Sequence, residues 1–190
     1  MPDCPYLDDC AVRYAAARDD LESLRSAVDE RQANWPPGDG RWSVAECVDH
    51  LNVTVRGYLP RMQTAIEGAR GRGLVGQAPY PQRSFLGRMI LHTLDPTANR
   101  TFRAPKVFRP AAGPHDFDQV CAGLGSGIDC LVELADLADG LALGRIRLAS
   151  PAAPVPRLTL AEAFEIHALH IPRHLAQARA VLTAPGFPAS

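Results

Sequence analysis

The segment HALHIPRHLAQA (167–178) places His167, His170 and His174 within eight positions, half of the six histidines in the chain. Neutral imidazole serves as metal ligand, general base or pH-responsive group, so spacing has to decide which of these the three can share. On a helix, His170 and His174 lie about 40° and 6 Å apart on one face, a separation that lets two imidazoles converge on one ion. The helix supplies a chelating pair. His167 stands about 10 Å along the axis from His174, too far for all three to ligate one ion without distortion. It falls in the centre of an apolar stripe with Leu160, Ile171 and Ala178 and is read as a buried neutral imidazole, hydrogen-bonded to a carbonyl or a side chain.

Catalytic zinc-type sites take three protein ligands and keep a position for water, so a third ligand must come from elsewhere. His50 is the best candidate, on the flank of an earlier helical seam between Cys47 and Thr54. Its rivals are Asp49, His92, His115 and Cys47. His92 and His115 fall in an irregular stretch where a histidine is ordinarily solvated, and Asp49 points away from the Cys47–Thr54 side of the wheel. Histidines four apart also occur on ordinary helices, so spacing alone leaves metal binding and helix packing both open.

Four periodic segments must position these groups. Residues 6–31 carry Leu7, Cys10, Tyr14, Ala17, Leu21, Leu24 and Val28 at alternating steps of three and four, the seam of an amphipathic helix. The turn-forming NWPPGDGRW (34–42) ends it. A second helix starts at the capping box Ser43 to Glu46 and runs through Val44, Cys47, Leu51, Val55, Tyr58, Met62 and Ile66, with Pro60 expected to kink it. The third covers 117–138. The fourth opens with the box Thr159 to Glu162 and stops before APGFP. Pro172, inside it, should free the carbonyl of Ala168 and bend the helix between the paired histidines.

Residues 67–116, rich in Pro, Gly and Arg, form a long crossing broken by one short helical candidate at 84–94. The reading is therefore all-α: a single domain over 1–190 built as a four-helix bundle, with a long crossover between helices two and three.

The stretch GRWSVAECVDHLNVTVRGYLPRM (40–62), followed much later by HIPRHLAQARAVL (170–182), resembles the DinB-like family of four-helix metal-binding proteins. The shared features are a WSxxE helix opening, a His-Leu pair and a late His-x-x-x-His-Leu-x-Gln. The resemblance implies His50, His170 and His174 as ligands of a divalent metal, commonly zinc or nickel, with Gln177 as a supporting amide. It implies a homodimer and an enzyme acting on a small molecule, of thiol S-transferase or hydrolase type, the substrate being a low-molecular-weight thiol. A non-catalytic bundle holding a metal or ligand for regulatory or structural ends is the alternative. Such a closed site would need a fourth protein ligand, Cys47 or a residue of the crossing. Cys47, Thr54, His167 and Gln177 are the candidates for the surrounding pocket.

Other classes recede. The net charge of −1 lacks the basic balance of a nucleic-acid binder. Five scattered cysteines (Cys4, Cys10, Cys47, Cys121, Cys130), with no CxxC pair, suggest neither a disulfide framework nor a cysteine zinc knuckle. No apolar run approaches the roughly 20 residues of a membrane span, and the N-terminus lacks the basic-then-apolar order of a secretory signal. A cytoplasmic protein is expected. NRTFRAPKVFRP (99–110) interleaves Arg100, Arg103, Lys106 and Arg109 with Phe102 and Phe108 and contains no acid, a pattern that suits an anionic substrate or nucleic acid; the reading preferred over that is a loop laying its rings on the bundle with its basic heads in water. GLGSG (123–127) sits inside the third helix, follows no strand, and reads as close helix packing rather than a phosphate loop.

Overall fold

A computed structural model describes residues 4–38, 40–76, 83–94 and 104–189. They are mostly helical, with one small two-stranded sheet. Helix α1 spans Pro5–Ala27, α2 Glu30–Ala33, α3 Val44–Gly71, α4 Phe85–Leu94, α5 Phe117–Ala138 and α6 Leu160–Val181, while strands β1 (Arg147–Ser150) and β2 (Ala153–Thr159) precede α6. α3 packs on α5 and α6, and α1 packs on the same two helices, so each long helix has two long neighbours. One contiguous core fills the space between them. Its largest fully buried side chains include Tyr14, Leu51, Ile128 and Phe164. Two hydroxyls tie α1 to α6, with Tyr14 donating to the Phe164 carbonyl at 2.6 Å and Tyr6 to the Ala161 carbonyl at 2.8 Å.

The segment expected as one helix over 6–31 is two. Val28 adopts an extended backbone, and Asp29 caps a new turn by a reciprocal box with Gln32. A box of that kind satisfies two orphan backbone donors at once, which makes a fresh start competitive with continuation. Pro60 and Pro172 both sit inside assigned helices that continue on either side of them. The glycines of α5 do serve close packing. A Cβ on Gly123 would lie 3.0 Å from the Asn52 amide, and one on Gly127 would lie 2.9 Å from Cγ1 of Val55. Small residues here let α5 approach α3.

The hairpin after α5 departs from the all-α expectation. β1 and β2 pair antiparallel with Leu148 opposite Leu158, and an irregularity between Leu148 and Ser150 turns the strand end. Prolines are confined to edge strands or bulges, and a two-stranded ribbon has only edges, so Pro154 and Pro156 within β2 are tolerated. The crossing contains α4 and a short 3-10 turn at Lys106–Phe108. Arg100, Phe102 and Arg103 lie outside the described residues. Among the described residues, no helix is long and apolar enough to cross a membrane.

Candidate metal centre

Both helices that carry the histidines begin at a fixed point. Ser43 Oγ accepts from the Glu46 amide at 3.1 Å while Glu46 returns a carboxylate oxygen to the Ser43 amide at 2.8 Å, which sets the start of α3 two turns before His50. Thr159 and Glu162 do the same for α6, again at 3.1 and 2.8 Å. The second oxygen of Glu162 accepts from the Ser84 amide at the start of α4. Gly87 leaves room for that carboxylate, since a Cβ there would collide with it. One buried acid thereby registers two helices.

From these starts, α3 and α6 bring His50, His170 and His174 together, with one ring nitrogen of each lying within 4.8 Å of the others. His50 Nε2 and His170 Nε2 are 3.2 Å apart. Two imidazoles bound to one tetrahedral ion at about 2.0–2.1 Å would hold their nitrogens about 3.3 Å apart. The spacing fits a cation. His50 Nδ1 lies 2.6 Å from the Phe108 carbonyl, and a carbonyl only accepts, so Nδ1 carries the proton and Nε2 presents its lone pair to the group. No described residue hydrogen-bonds Nδ1 of His170 or of His174. His50 is oriented by the Phe108 carbonyl and His174 by the Gln177 side-chain amide.

Burial holds all three imidazoles neutral. It lowers His50 against the opposing pull of the Phe108 carbonyl and Asp49. It drives His170 well below the ordinary histidine range, helped by the neighbouring His174, and takes His174 down to about 3, with His50 adding to the effect. Neutral rings with available lone pairs are what a divalent ion requires of histidine.

The other expected residues divide. Thr54 lies beside the site, donating its hydroxyl to the His50 carbonyl at 2.7 Å and lining the adjoining cavity, and Gln177 lines the same cavity next to His174. Cys47 is fully buried, does not line the cavity, and has its thiol pushed up to about 12 by that burial. His167 is fully buried and neutral, taken down to about 4, but the hydrogen bond expected for it is missing: neither nitrogen has a partner among the described residues. Its ring meets the Tyr58 ring edge-on instead, centroids 5.0 Å apart.

His92 is exposed on α4, as expected of it, whereas His115 is buried. Its Nδ1 stands 3.8 Å from an Asp49 carboxylate oxygen that also accepts from the Ala111 amide at 2.9 Å. Asp49 therefore holds down the far end of the segment that begins at Phe108. Glu165 is engaged elsewhere, paired with Arg83 and accepting from Tyr6.

A cavity of about 680 Å³ opens above the trio. Trp42 forms one wall, its ring 4.7 Å from that of His50 and 6.0 Å from that of His174. Phe108 forms another, stacked at 6.0 Å on Tyr58, whose hydroxyl donates to Ser150 of the hairpin at 2.8 Å. In the sequence Trp42 stands out only as the first residue of the WSxxE opening, Ser150 carries no signal, and Tyr58 and Phe108 read as packing. The position of Trp42 directly before the Ser43 cap was the one local signal for it.

Fold and site together define a mostly helical protein with a histidine triad able to hold a metal ion. The DinB superfamily model matches residues 13–178, and the chain belongs to that superfamily, whose members are typically metal-binding. Neither the curated proteins nor the solved structures contain a significant match to it.

Proposed function

We propose that this chain is a divalent-metal-dependent enzyme acting on a small molecule, of thiol S-transferase or hydrolase type, with zinc or nickel held by His50, His170 and His174. The reading takes the chain as one cytoplasmic domain whose four long helices form the four-helix bundle of the family, and extends to a homodimer. One observation carries it: three neutral imidazoles converge at the base of a cavity large enough for a small organic molecule.

A divalent ion held by three neutral ligands keeps its double charge, and when bound it lowers the pKa of a thiol or water enough to supply a nucleophile at neutral pH. The chain's own residues do the rest. Phe108 fixes the tautomer of His50, Trp42 and Phe108 exclude water from two sides, and the Tyr58–Ser150 pair offers a hydroxyl contact inside the cavity. No carboxylate lines the cavity among the described residues, so a proton leaving the substrate has no acidic side chain there to receive it.

The non-catalytic alternative needs a closed coordination sphere. Among the described residues no fourth His, Cys, Asp or Glu joins the three, which favours an open position facing the cavity. Metal analysis of untagged protein tests the proposal. One equivalent of metal in the wild type and none in His170→Ala/His174→Ala is expected, and equal contents in the two would sink it.

A further inference from the structure

The cavity walls carry more charge than a metal site needs. Arg41, Arg109 and Arg173 line the same cavity as the three histidines, and no Asp or Glu lines it among the described residues. Arg41 donates to the Pro37 carbonyl at 2.9 Å and Arg109 to the Ala104 carbonyl at 3.1 Å. Main-chain carbonyls fix a guanidinium without cancelling its charge, and each guanidinium has five N–H donors to place. Arg173 donates to the Leu94 carbonyl at 3.4 Å.

A concave surface with low-dielectric walls concentrates such a field on whatever enters. With a divalent ion at the base, a thiolate would offset only one of the positive charges. Among the other lining residues, Trp42, Phe108, Ile90 and Ile166 offer apolar surface that would cover a hydrocarbon body.

Resting on the metal-site reading above, we propose that the substrate is an amphipathic organic oxyanion. Its apolar body lies between Trp42 and Phe108, and its carboxylate or phosphate is received by Arg41 and Arg109. The planar fork of arginine matches the oxygens of either group, and charge-assisted hydrogen bonds to it are about twice as strong as neutral ones.

The test is calorimetric titration of zinc-loaded protein with mercaptoalkanoates, mercaptoalkyl phosphonates and the matching neutral amides, each two to six carbons long. At one or more lengths an anion should bind about tenfold tighter than its amide, and Arg41→Gln/Arg109→Gln should reduce that advantage to less than about threefold. The better of the two anions identifies the headgroup. Amides that bind as tightly as the anions at every length would overturn the proposal, as would an advantage that survives the double substitution.

The same comparison with S-methylated probes needs no metal. A protein that takes up no zinc therefore overturns the metal reading while leaving the anion preference decidable. Full zinc occupancy with no preference overturns this inference alone.

Discussion

The base of the cavity and its rim are built by different means. At the base, His50, His170 and His174 project from two long helices whose starts are pinned by reciprocal capping boxes, and the helices are cemented by a continuous core. At the rim, Arg41, Phe108, Arg109 and Ser150 come from a loop, a 3-10 turn and a hairpin end, held by a few hydrogen bonds each. Rigid helices deliver the groups whose geometry must be right to tenths of an ångström, and irregular segments deliver those that select what enters. The rim reaches an imidazole of the base through the bond from His50 Nδ1–H to the Phe108 carbonyl.

If that division holds, damage at the base should be the most severe. His50→Ala removes a ligand together with the ring that the Phe108 carbonyl orients, and metal affinity should fall by more than the roughly 10–100-fold that losing an outer partner costs. Competition with a zinc chelator measures it. The same variant should lose the rise in melting temperature that saturating zinc confers on the wild type, because a ligand stabilises only the state that binds it. Wild-type affinity in this variant would mean that the base is not a metal site.

His167 tests whether burial alone marks a functional histidine. It sits one turn before His170, equally neutral, yet its ring faces Tyr58 rather than the other imidazoles. Its pKa is near 6.5 unfolded and about 4 folded, so the folded state resists taking up the proton. The stability this contributes is present in full above pH 6.5 and is lost as pH falls from 6.5 towards 4, by roughly 3 kcal/mol for the metal-free protein. Urea unfolding at a series of pH values should show that acid limb, and His167→Phe should flatten it while leaving zinc uptake in place. His170 and His174, depressed in the same direction, keep part of the slope. Loss of zinc binding in His167→Phe would move this residue from core to site.

Asp49 probes the seam between base and rim. It grips the Ala111 amide at 2.9 Å, three residues beyond the carbonyl that orients His50. Asp49→Ala should free that segment and weaken metal binding about tenfold through His50, without touching a ligand. Asp49→Asn, which keeps an oxygen for the amide, should recover most of the loss. Equal affinities for Asp49→Ala and the wild type would detach the rim from the base.

The same contrast governs what could be read from the chain. The boundaries of α5 and α6, both capping boxes of the long helices and the trio His50, His170 and His174 follow from 3.6-residue periodicity, local cap chemistry and the resemblance, all of which act over short stretches of sequence. The break at Val28 was missed because an apolar residue on the seam hid the cap that follows it. The hairpin was missed although Ile146 and Leu148 alternate with arginines, since prolines in β2 argue against a strand unless it is known to be an edge. The burial of His115 is tertiary and so not legible locally: Asn34 clamps its backbone amide and carbonyl at 2.7 and 2.9 Å, and Asp49 lies 3.8 Å from its ring. Arg109 is exposed, as a solvated head should be, and it also borders the cavity, a placement that depends on the turn at Lys106–Phe108 and not on the composition of NRTFRAPKVFRP.

The smallest effect should come from the hairpin. Tyr58 donates to Ser150 Oγ at 2.8 Å, and Ser150 also accepts from the Ala152 amide at 3.2 Å, so one serine hydroxyl joins the base-side tyrosine to the turn of the rim. Ser150→Ala deletes both bonds, yet Tyr58 and the Ala152 amide border an open cavity or solvent that can hydrate them. The cost to stability should therefore stay near 1 kcal/mol, the net worth of a hydrogen bond whose partners are not left buried and dry. Tyr58→Phe should match it, and the double variant should cost little more than either single one, because both remove the same contact. Metal affinity should not move in any of the three, since neither side chain touches a ligand's hydrogen bond. A tenfold loss of zinc binding in Ser150→Ala would show instead that the hairpin reaches the imidazoles through Tyr58, and the division between rigid base and adjustable rim would have to be redrawn to include it.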